Sequence, residues 1–338
     1  MTTPLSIYIH IPFCKRKCSY CDFVSFDDKA GEFDKYIDAL CNEIKSANLH
    51  ADTIVDTIFL GGGTPSLLTN KQISKIFEHL PLANEVTIEA NPNSVNQNKL
   101  THWQSHGINR ISIGVQSFCN VTLKELGRTH TASQAIKAIT LAHEVGFRNI
   151  NVDIIHSINT SPVKIPSEVF KYITHVSAYC LTPTTLGDDE SIKQQKQVEL
   201  TLAVQGLEKY EVSNFARPGF ACRHNLAYWQ PQTHEYIGFG LGAHSYVGGV
   251  RFANTSDFDK YLSGVTKDVL SETRGDTLTD TIMLGLRTTK GIDISLLKNK
   301  ISEIELLKNH KLVEVKDGRI SATSEGFFVL NSIIEKLT

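Results

Sequence analysis

The chain contains 338 residues, of which 41% are hydrophobic and 21% are charged, so a sizeable core is available and wholesale disorder is excluded. The length suggests about two domains, or one barrel with an appended module. A formal net charge of −2 removes any global attraction to nucleic acid, so no nucleic-acid partner is expected. There is no long apolar run and no pattern of a signal peptide, and a cytoplasmic location is therefore expected.

Short β-branched segments alternate with helical patterns along most of the chain. Most of the segments are apolar on both faces, which is typical of buried parallel strands. Six or so strand–helix units predict an open or partial barrel of the (βα)6 type, with functional residues at the C-terminal ends of its strands. The predicted strands are Ser6–Ile11, Val55–Leu60, Glu85–Glu89, Arg110–Gly114, Ile150–Ile154, Val176–Leu181 and Tyr210–Ser213.

Three of the intervening helices carry a capping-box signal at their start, in which a hydroxyl side chain accepts from the first turn. Gly107 and Gly146 are predicted to end two of them. The three pairs are Thr69 with Gln72, Ser94 with Gln97, and Thr131 with Gln134.

The C-terminal part has a different pattern. Helical stretches at Leu278–Leu286 and Ile294–Ile301 precede two short strands around Asp317-Gly318, a hairpin signal, and a closing helix follows. This arrangement predicts a winged-helix-like α+β module without a concentrated basic face, so a structural or lid role is favoured over DNA binding. We predict three domains, at residues 1–217, 218–271 and 272–338.

Cys14, Cys18 and Cys21 form a C-x3-C-x2-C pattern directly after the first strand. Three thiolates suit an iron–sulfur cluster, and the absence of a fourth nearby cysteine would leave one iron open to another ligand. The cations at positions 15–17 favour the thiolate forms. The spacing alone leaves open a zinc site completed by His10, or three buried structural cysteines.

Two more stretches carry candidate chemistry. Glycines at positions 61–63 let a ligand approach the backbone, although a plain turn would need them too, and Glu89 ends the next strand. In Cys222–Trp229, histidine and cysteine are candidate ligands of heme iron and the aromatic rings offer flat faces, whereas a packed loop with a satisfied histidine is the alternative.

The stretch from Tyr8 to Phe23 resembles the opening of radical S-adenosylmethionine (SAM) proteins. Within that superfamily it is similar to the branch of oxygen-independent coproporphyrinogen III oxidases and HemW-type heme chaperones. The resemblance implies that Cys14, Cys18 and Cys21 hold a [4Fe–4S] cluster whose open iron is chelated by SAM.

The same resemblance implies the residues that bind the other cofactors. Those matching SAM contacts are Tyr8, Tyr20, Gly61, Gly62, Gly63, Thr64, Glu89, Gln116, Arg128 and Asp153. The HNxxYW motif, associated with heme binding in HemW-type proteins, is matched by His224, Asn225, Tyr228 and Trp229. After Ile155 the chain departs from the family, because the usual glycine–proline loop is replaced and the following unit looks shortened.

The function that the resemblance implies is a heme chaperone-like protein that passes heme to an acceptor. The alternative is the enzyme coproporphyrinogen III oxidase, which decarboxylates propionates by a radical route. Phe23 stands where the decarboxylase resemblance calls for a further cysteine, and only 13 residues precede Cys14, where the enzymes have a longer extension. The expected partners are heme, an acceptor protein and an electron donor, and an acceptor that associates transiently with a membrane is allowed for.

Overall fold

The structure is a computed structural model that describes residues 3–49, 53–184, 186–267, 273–274 and 277–338. Its strands are β1 (Leu5–Ile11), β2 (Val55–Gly62), β3 (Glu85–Ala90), β4 (Arg110–Gln116), β5 (Asn149–His156), β6 (His175–Cys180), β7 (Glu208–Lys209), β8 (Asn214–Ala216), β9 (Glu235–Phe239), β10 (His244–Val247), β11 (Val250–Ala253), β12 (Thr273–Arg274), β13 (Ile292–Asp293), β14 (Val313–Lys316) and β15 (Arg319–Ala322). Its α-helices are α1 (Phe33–Ser46), α2 (Asn70–Phe77), α3 (Gln97–Ser105), α4 (Asn120–Glu125), α5 (Ala132–Val145), α6 (Asp188–Val204), α7 (Arg223–Tyr228), α8 (Phe258–Leu262), α9 (Thr277–Gly285), α10 (Ile301–Asn309) and α11 (Leu330–Leu337).

The six strands β1 to β6 lie side by side in chain order and pair in parallel. Within the described residues the whole sheet has twelve strands, and β7 and β12 form its open edges. The central strands are buried along most of their length, because helices cover one face and the interior of the curved sheet covers the other. The predicted partial barrel of the (βα)6 type is confirmed.

The capping-box predictions have mixed outcomes. Thr69 and Thr131 each accept from the backbone of the glutamine three residues later, which confirms two of the boxes. The third box is wrong, because Asn96 caps α3 by accepting from the backbone of Lys99. Ser94 instead donates to the carbonyl of Asn91 and lies 2.5 Å from the hydroxyl of Ser66. Serine and asparagine can both cap a helix, and Asn96 takes this position because it directly precedes α3.

The strand predicted at Tyr210–Ser213 is also wrong. Those residues form the turn between the short antiparallel strands β7 and β8. The side chains of the turn are used for tertiary contacts: the hydroxyl of Tyr210 reaches His175, and Glu211 accepts from the indole of Trp229. The predicted helix Ile294–Ile301 is a 3-10 turn at Ile294–Leu297, and α10 begins only at Ile301.

The connection between β5 and β6 contains only a 3-10 helix, Ser167–Lys171. This unit therefore lacks an α-helix, in agreement with the shortening predicted after Ile155. Strand β6 still pairs in parallel with β5. The barrel keeps its sixth strand because that strand is buried and continues the hydrophobic core.

Two hydrophobic clusters divide the buried side chains. The larger one contains residues from Leu5 to Tyr261, and the smaller one lies within Ile282–Leu337. The smaller cluster is covered by α9 to α11 and the three-stranded sheet β13-β15-β14, the predicted winged-helix-like module. Because β9 pairs with β1, residues 218–271 contribute strands to the main sheet, and the three-domain boundaries stay a prediction. Among the described residues, no helix combines the length and apolar character needed to cross a bilayer.

Candidate functional site

A cavity of about 370 Å³ opens at the C-terminal ends of the parallel strands. Parallel strands bring the loops that follow them to the same end of the sheet, so residues distant in sequence meet there. The residues predicted from the sequence that line this cavity are Cys14, Cys18, Tyr20, Cys21, Gly62, Gly63, Thr64, Glu89, Gln116, Arg128 and Asp153.

The three cysteines are half-buried and their loop is held by backbone and side-chain contacts. The amide of Cys14 donates to the carbonyl of Phe26 at 2.8 Å. The ammonium of Lys17 donates to the carbonyls of Phe23 and Ser25, at 3.3 and 3.2 Å. Lys17 therefore closes the loop, while its neighbours at positions 15 and 16 line the cavity. All three cysteines line the same cavity.

Two polar groups approach the sulfur atoms from the barrel. The hydroxyl of Thr64 donates to Sγ of Cys14 at 3.7 Å, and Nη1 of Arg128 donates to Sγ of Cys18 at 3.6 Å. Burial raises the pKa of Cys21 against the opposing effect of nearby Lys17. Metal-bound sulfur accepts hydrogen bonds of this kind, so the two donors suit a cluster held by these cysteines.

The zinc alternative needs His10 as a fourth ligand, and His10 is already occupied. Its Nε2 donates to the carbonyl of Val24 at 2.7 Å, so its Nδ1 accepts from the hydroxyl of Tyr8 at 3.1 Å. In the part of the chain that the structure describes, no three His, Cys, Asp or Glu side chains converge closely enough for a single metal ion.

The glycine run packs tightly against β1. A Cβ atom on Gly62 would lie 2.5 Å from the ring of His10, and one on Gly63 would lie 2.7 Å from the carbonyl oxygen of Phe13. Gly62 also has a φ of +106°, which favours glycine. Its amide donates to Oε2 of Glu89 at 3.0 Å, which fixes that carboxyl group at the cavity.

The half-buried carboxyl groups of Glu89 and Asp153 line the cavity from β3 and β5. Burial and the charge of Asp153 raise the pKa of Glu89 to about 8. Burial also raises the pKa of Asp153, although hydrogen bonds from Asn151 at 2.7 Å and from Ser112 oppose this effect. Paired buried acids without a ligand are costly, so a partner offering hydroxyl or amino donors would stabilise them.

Gln116 and Arg128 meet beside Gly114. Gln116 adopts a left-handed φ of +65° at an irregularity in the pairing of β4 with β5, a strained conformation typical of functional sites. Nη2 of Arg128 donates to the carbonyl of Gly114 at 2.7 Å, while its Nε is buried without a partner among the described residues. This guanidinium keeps a donor for a bound anion.

Two of the predicted SAM residues do not line the cavity. Gly61 packs against the ring of Phe59, and Tyr8 lies below the cavity with its hydroxyl on His10. Both residues pack within the strands β1 and β2, away from the cavity lining, so their role as SAM contacts stays a prediction.

The HNxxYW residues lie on or next to α7, at the opposite end of the barrel. His224 is 1% exposed, and its ring nitrogens lie 2.7 Å from the hydroxyl of Thr57 and 2.9 Å from that of Tyr228. Burial lowers the pKa of His224 to about 3, so the ring is neutral. The structure does not bring His224 to the cavity of the cysteines, and both of its nitrogens are paired.

Tyr228 and Trp229 line a second cavity of about 340 Å³, between the barrel and the C-terminal module. Its other lining groups include the rings of Tyr236 and Tyr246 and the side chain of Met283. Asn225, beside His224, is half-buried and does not line this second cavity. Within the motif, His224 is therefore buried in the protein, whereas Tyr228 and Trp229 line the second cavity.

Among the lining residues of the first cavity that sequence reasoning missed are Tyr179 and Cys180. Cys180 was expected to be core or incidental, together with Cys41 and Cys119, because it lacks a partner in spacing. It is exposed at the C-terminal end of β6. The rule that placed Glu89 at a strand end would have found it.

Residues 8–165 match the family model of the radical SAM superfamily. The heme chaperone HemW of Lactococcus lactis is 32% identical, over 98% of this chain and 97% of that relative. HemW of Mycobacterium tuberculosis is 32% identical over 99% and 95%, and HemW of Escherichia coli is 39% identical over 72% and 70%. Coproporphyrinogen III oxidase (HemN) of Escherichia coli, a radical SAM enzyme, has a similar fold, with a TM-score of 0.80 and 22% identity over 99% of this chain and 90% of that one.

The residues of the first cavity fit the two cofactors of this superfamily. Cys14, Cys18 and Cys21 line one cavity together with the guanidinium of Arg128 and the carboxyl groups of Glu89 and Asp153, so its wall offers charged partners to a ligand. Relatives that are 31–39% identical cover most of the chain. The chain therefore belongs to the HemW family of the radical SAM superfamily, with a [4Fe–4S] cluster and SAM as its cofactors.

Proposed function

We propose that this protein binds heme and passes it to an acceptor protein, using a [4Fe–4S] cluster and SAM held at the C-terminal end of the barrel. The observation that carries the proposal is the similarity to the HemW heme chaperone of Lactococcus lactis along 97% of that relative. Phe23, where the decarboxylase resemblance calls for a cysteine, also favours the chaperone over coproporphyrinogen III oxidase.

At the first cavity, Cys14, Cys18 and Cys21 hold the cluster. A reduced cluster held by these cysteines would supply one electron for cleavage of the sulfonium of SAM. The amino group of SAM binds at Gly62, Gly63 and Thr64, which stand on the cavity wall next to Cys14.

The rest of the SAM molecule meets charged and polar side chains. Arg128 binds its carboxylate through the guanidinium nitrogen that is buried without a partner among the described residues. Glu89 and Asp153 accept from the ribose hydroxyls, and Gln116 lies within the same wall. The ring of Tyr20 packs beside the cofactor.

Heme occupies the second cavity, where Tyr228 and Trp229 offer ring faces to the macrocycle. Arg251 in the wall of this cavity is placed to pair with a propionate, although its guanidinium is shared with Asp280 at 2.8 Å. His224 and Asn225 stand behind this wall on α7. For His224 to bind iron through Nε2, its contact with the hydroxyl of Tyr228 must first break.

The partners follow from this function. Heme must leave to an acceptor protein, and the cluster needs an electron donor. The proposed acceptor associates transiently with a membrane. A cytoplasmic location of this protein suits its thiolates, because thiols stay reduced there. With a net charge of −2 no nucleic-acid partner is expected.

A single reconstituted sample distinguishes the two functions. Anaerobically prepared protein is titrated with heme, followed by the Soret band, and is also incubated with coproporphyrinogen III, SAM and a reductant. Heme capture without decarboxylated product is expected. Product formation would overturn the chaperone assignment in favour of the enzyme.

The histidine of the motif is tested separately. His224→Gln is expected to weaken the Soret band, whereas His130→Gln, which removes another buried histidine whose Nε2 donates to the Val115 carbonyl, leaves it unchanged. The midpoint of thermal unfolding is recorded for both variants, so that loss of heme can be separated from loss of fold. An unchanged Soret band in folded His224→Gln would remove His224 from the heme site.

A further inference from the structure

A continuous chain of hydrogen bonds crosses the interior of the barrel, from the first cavity to the opposite end of the sheet. Asn151 donates from Nδ2 to Oδ1 of Asp153 at 2.7 Å, and its Oδ1 lies 2.6 Å from Nδ1 of His175. Nε2 of His175 lies 2.8 Å from the hydroxyl of Tyr210. That hydroxyl accepts from the amide of Cys222, at 3.2 Å.

Every donor in this chain has a fixed direction. Because the Nδ2 group of Asn151 donates to Asp153 and to Ser112, its Oδ1 must accept, so Nδ1 of His175 carries the proton. Neutral histidine then has only Nε2 to accept with, and the hydroxyl of Tyr210 must donate to it. The hydroxyl is left as the acceptor for the amide that reaches it.

The middle of the chain is buried, whereas Asp153 and Tyr210 at its ends are half-buried. His175 is 0% exposed and Asn151 is 1% exposed, so water does not compete for their polar atoms. Burial lowers the pKa of His175 well below its usual value, which agrees with the neutral tautomer required by its neighbours. In this environment a hydrogen bond that is lost leaves its partner unsatisfied and free to turn.

The outer end of the chain is anchored outside the barrel. The carbonyl of Tyr210 accepts from the amide of Thr289 in the C-terminal module, at 3.0 Å. The neighbouring Glu211 pairs with Thr288 in an isolated bridge. These backbone contacts hold Tyr210 in place, so its hydroxyl can orient the side chains of His175 and Asn151.

We propose that His175 and Tyr210 are positioning residues for the carboxylate of Asp153, holding it through Asn151 in the orientation that receives SAM. The inference rests on the proposed assignment of Asp153 to SAM. Neither residue lines the first cavity, so their effect on SAM binding is transmitted through the hydrogen bonds alone.

The first test cuts the chain at one atom. Tyr210→Phe removes the hydroxyl and keeps the ring, and the dissociation constant of SAM is measured by equilibrium dialysis on the cluster-reconstituted protein. Loss of one buried hydrogen bond corresponds to an increase of about threefold to tenfold. Tyr261→Phe is the matched control, since it removes a buried hydroxyl that donates to Glu43 at 2.6 Å, away from the chain.

Thermal unfolding is measured on the same samples. Both variants are expected to lower the unfolding midpoint, because each leaves a buried polar partner without its hydrogen bond. Only Tyr210→Phe is expected to weaken SAM binding. If the two variants bind SAM with equal affinity, Tyr210 has a structural role only and the inference is overturned.

A second pair of variants separates orientation from packing. His175→Asn keeps an amide donor where Nδ1 stands, whereas His175→Leu has a similar shape and no donor. SAM binding is expected to be stronger in His175→Asn than in His175→Leu, and equal affinities would contradict the proposal. Asp153→Asn tests the underlying assignment: if it leaves SAM affinity unchanged, the proposed role of Asp153 fails, whereas a loss confined to Asp153→Asn refutes only the positioning role.

Discussion

Helix α7 depends on a single carboxyl group at the start of β3. Oε2 of Glu85 accepts from the amide of Arg223 at 3.2 Å, and its Oε1 accepts from the amide of His224 at 3.1 Å. The thiol of Cys222 donates to the same group at 3.5 Å. Glu85 is 5% exposed, so no water replaces these contacts. The first amides of a helix have no partner within the helix, and here one side chain serves them.

Glu85→Gln is expected to destabilise the fold and release α7. The amide group keeps one acceptor and turns its NH2 towards a second donor, so one hydrogen bond to a charged group is lost, worth about 1.5–3 kcal/mol. Loss of the negative charge at the helix start adds about 0.3–1 kcal/mol. Together these give about 2–4 kcal/mol, and the buried guanidinium of Arg110 also loses a neighbouring opposite charge.

Urea unfolding of the cluster-free protein measures the stability, and heme titration measures the binding. The matched control is Glu43→Gln, which alters a half-buried carboxyl group that also accepts from a backbone amide, that of Gly240 at 2.8 Å. Both variants are expected to lose stability, and only Glu85→Gln is expected to lose heme affinity as well. A loss below about 0.5 kcal/mol in Glu85→Gln, the range of ordinary surface changes, would refute the reasoning.

Three further predictions concern the first cavity. Cys18→Ser is expected to abolish the [4Fe–4S] absorption of anaerobically reconstituted protein, and full retention of iron and sulfide would contradict the assignment. Gly62→Ala places a Cβ atom 2.5 Å from the ring of His10 at a φ of +106°, so we expect a loss of about 1–3 kcal/mol in urea unfolding, and unchanged stability would argue against this packing. Glu89 has a pKa raised from 4.5 to about 8, so the folded state binds its proton more tightly and cluster-free protein loses this contribution as the pH rises between those values. Between about pH 5 and about pH 8, the free energy of unfolding should fall less in Glu89→Gln than in the unchanged protein. If this free energy depends on pH identically in both proteins, Glu89 is not protonated in the folded state.

The parts of the site that were predictable are those governed by local pattern. Cys14, Cys18 and Cys21 lie close in sequence, so their convergence follows from one loop. Glu89 and Asp153 each end or follow a buried run, and parallel pairing brings such positions to the same edge. The same rule places Cys180, the last residue of β6, at that edge as well.

The failures occurred where local signals compete or where the partner is remote. Ser94 and Asn96 are both capable caps, and only the path of the backbone selected Asn96. At Tyr210–Ser213 the apolar pattern resembles a strand, but the side chains of Tyr210 and Glu211 are held by His175 and Trp229, residues far away in the sequence. No periodicity within a short window contains that information.

By itself, the sequence determined the parallel strands β1 to β6 and the placement of Cys14, Cys18 and Cys21 in one loop at the cavity, because burial and spacing act over a few residues. Only the tertiary structure decided that β9 joins the sheet beside β1 and that α7 lies at the far end of the barrel. The pairing of His224 with Thr57 links residues 167 positions apart. Such a contact forms only when folding packs α7 against β2, since no local preference of either residue specifies the other.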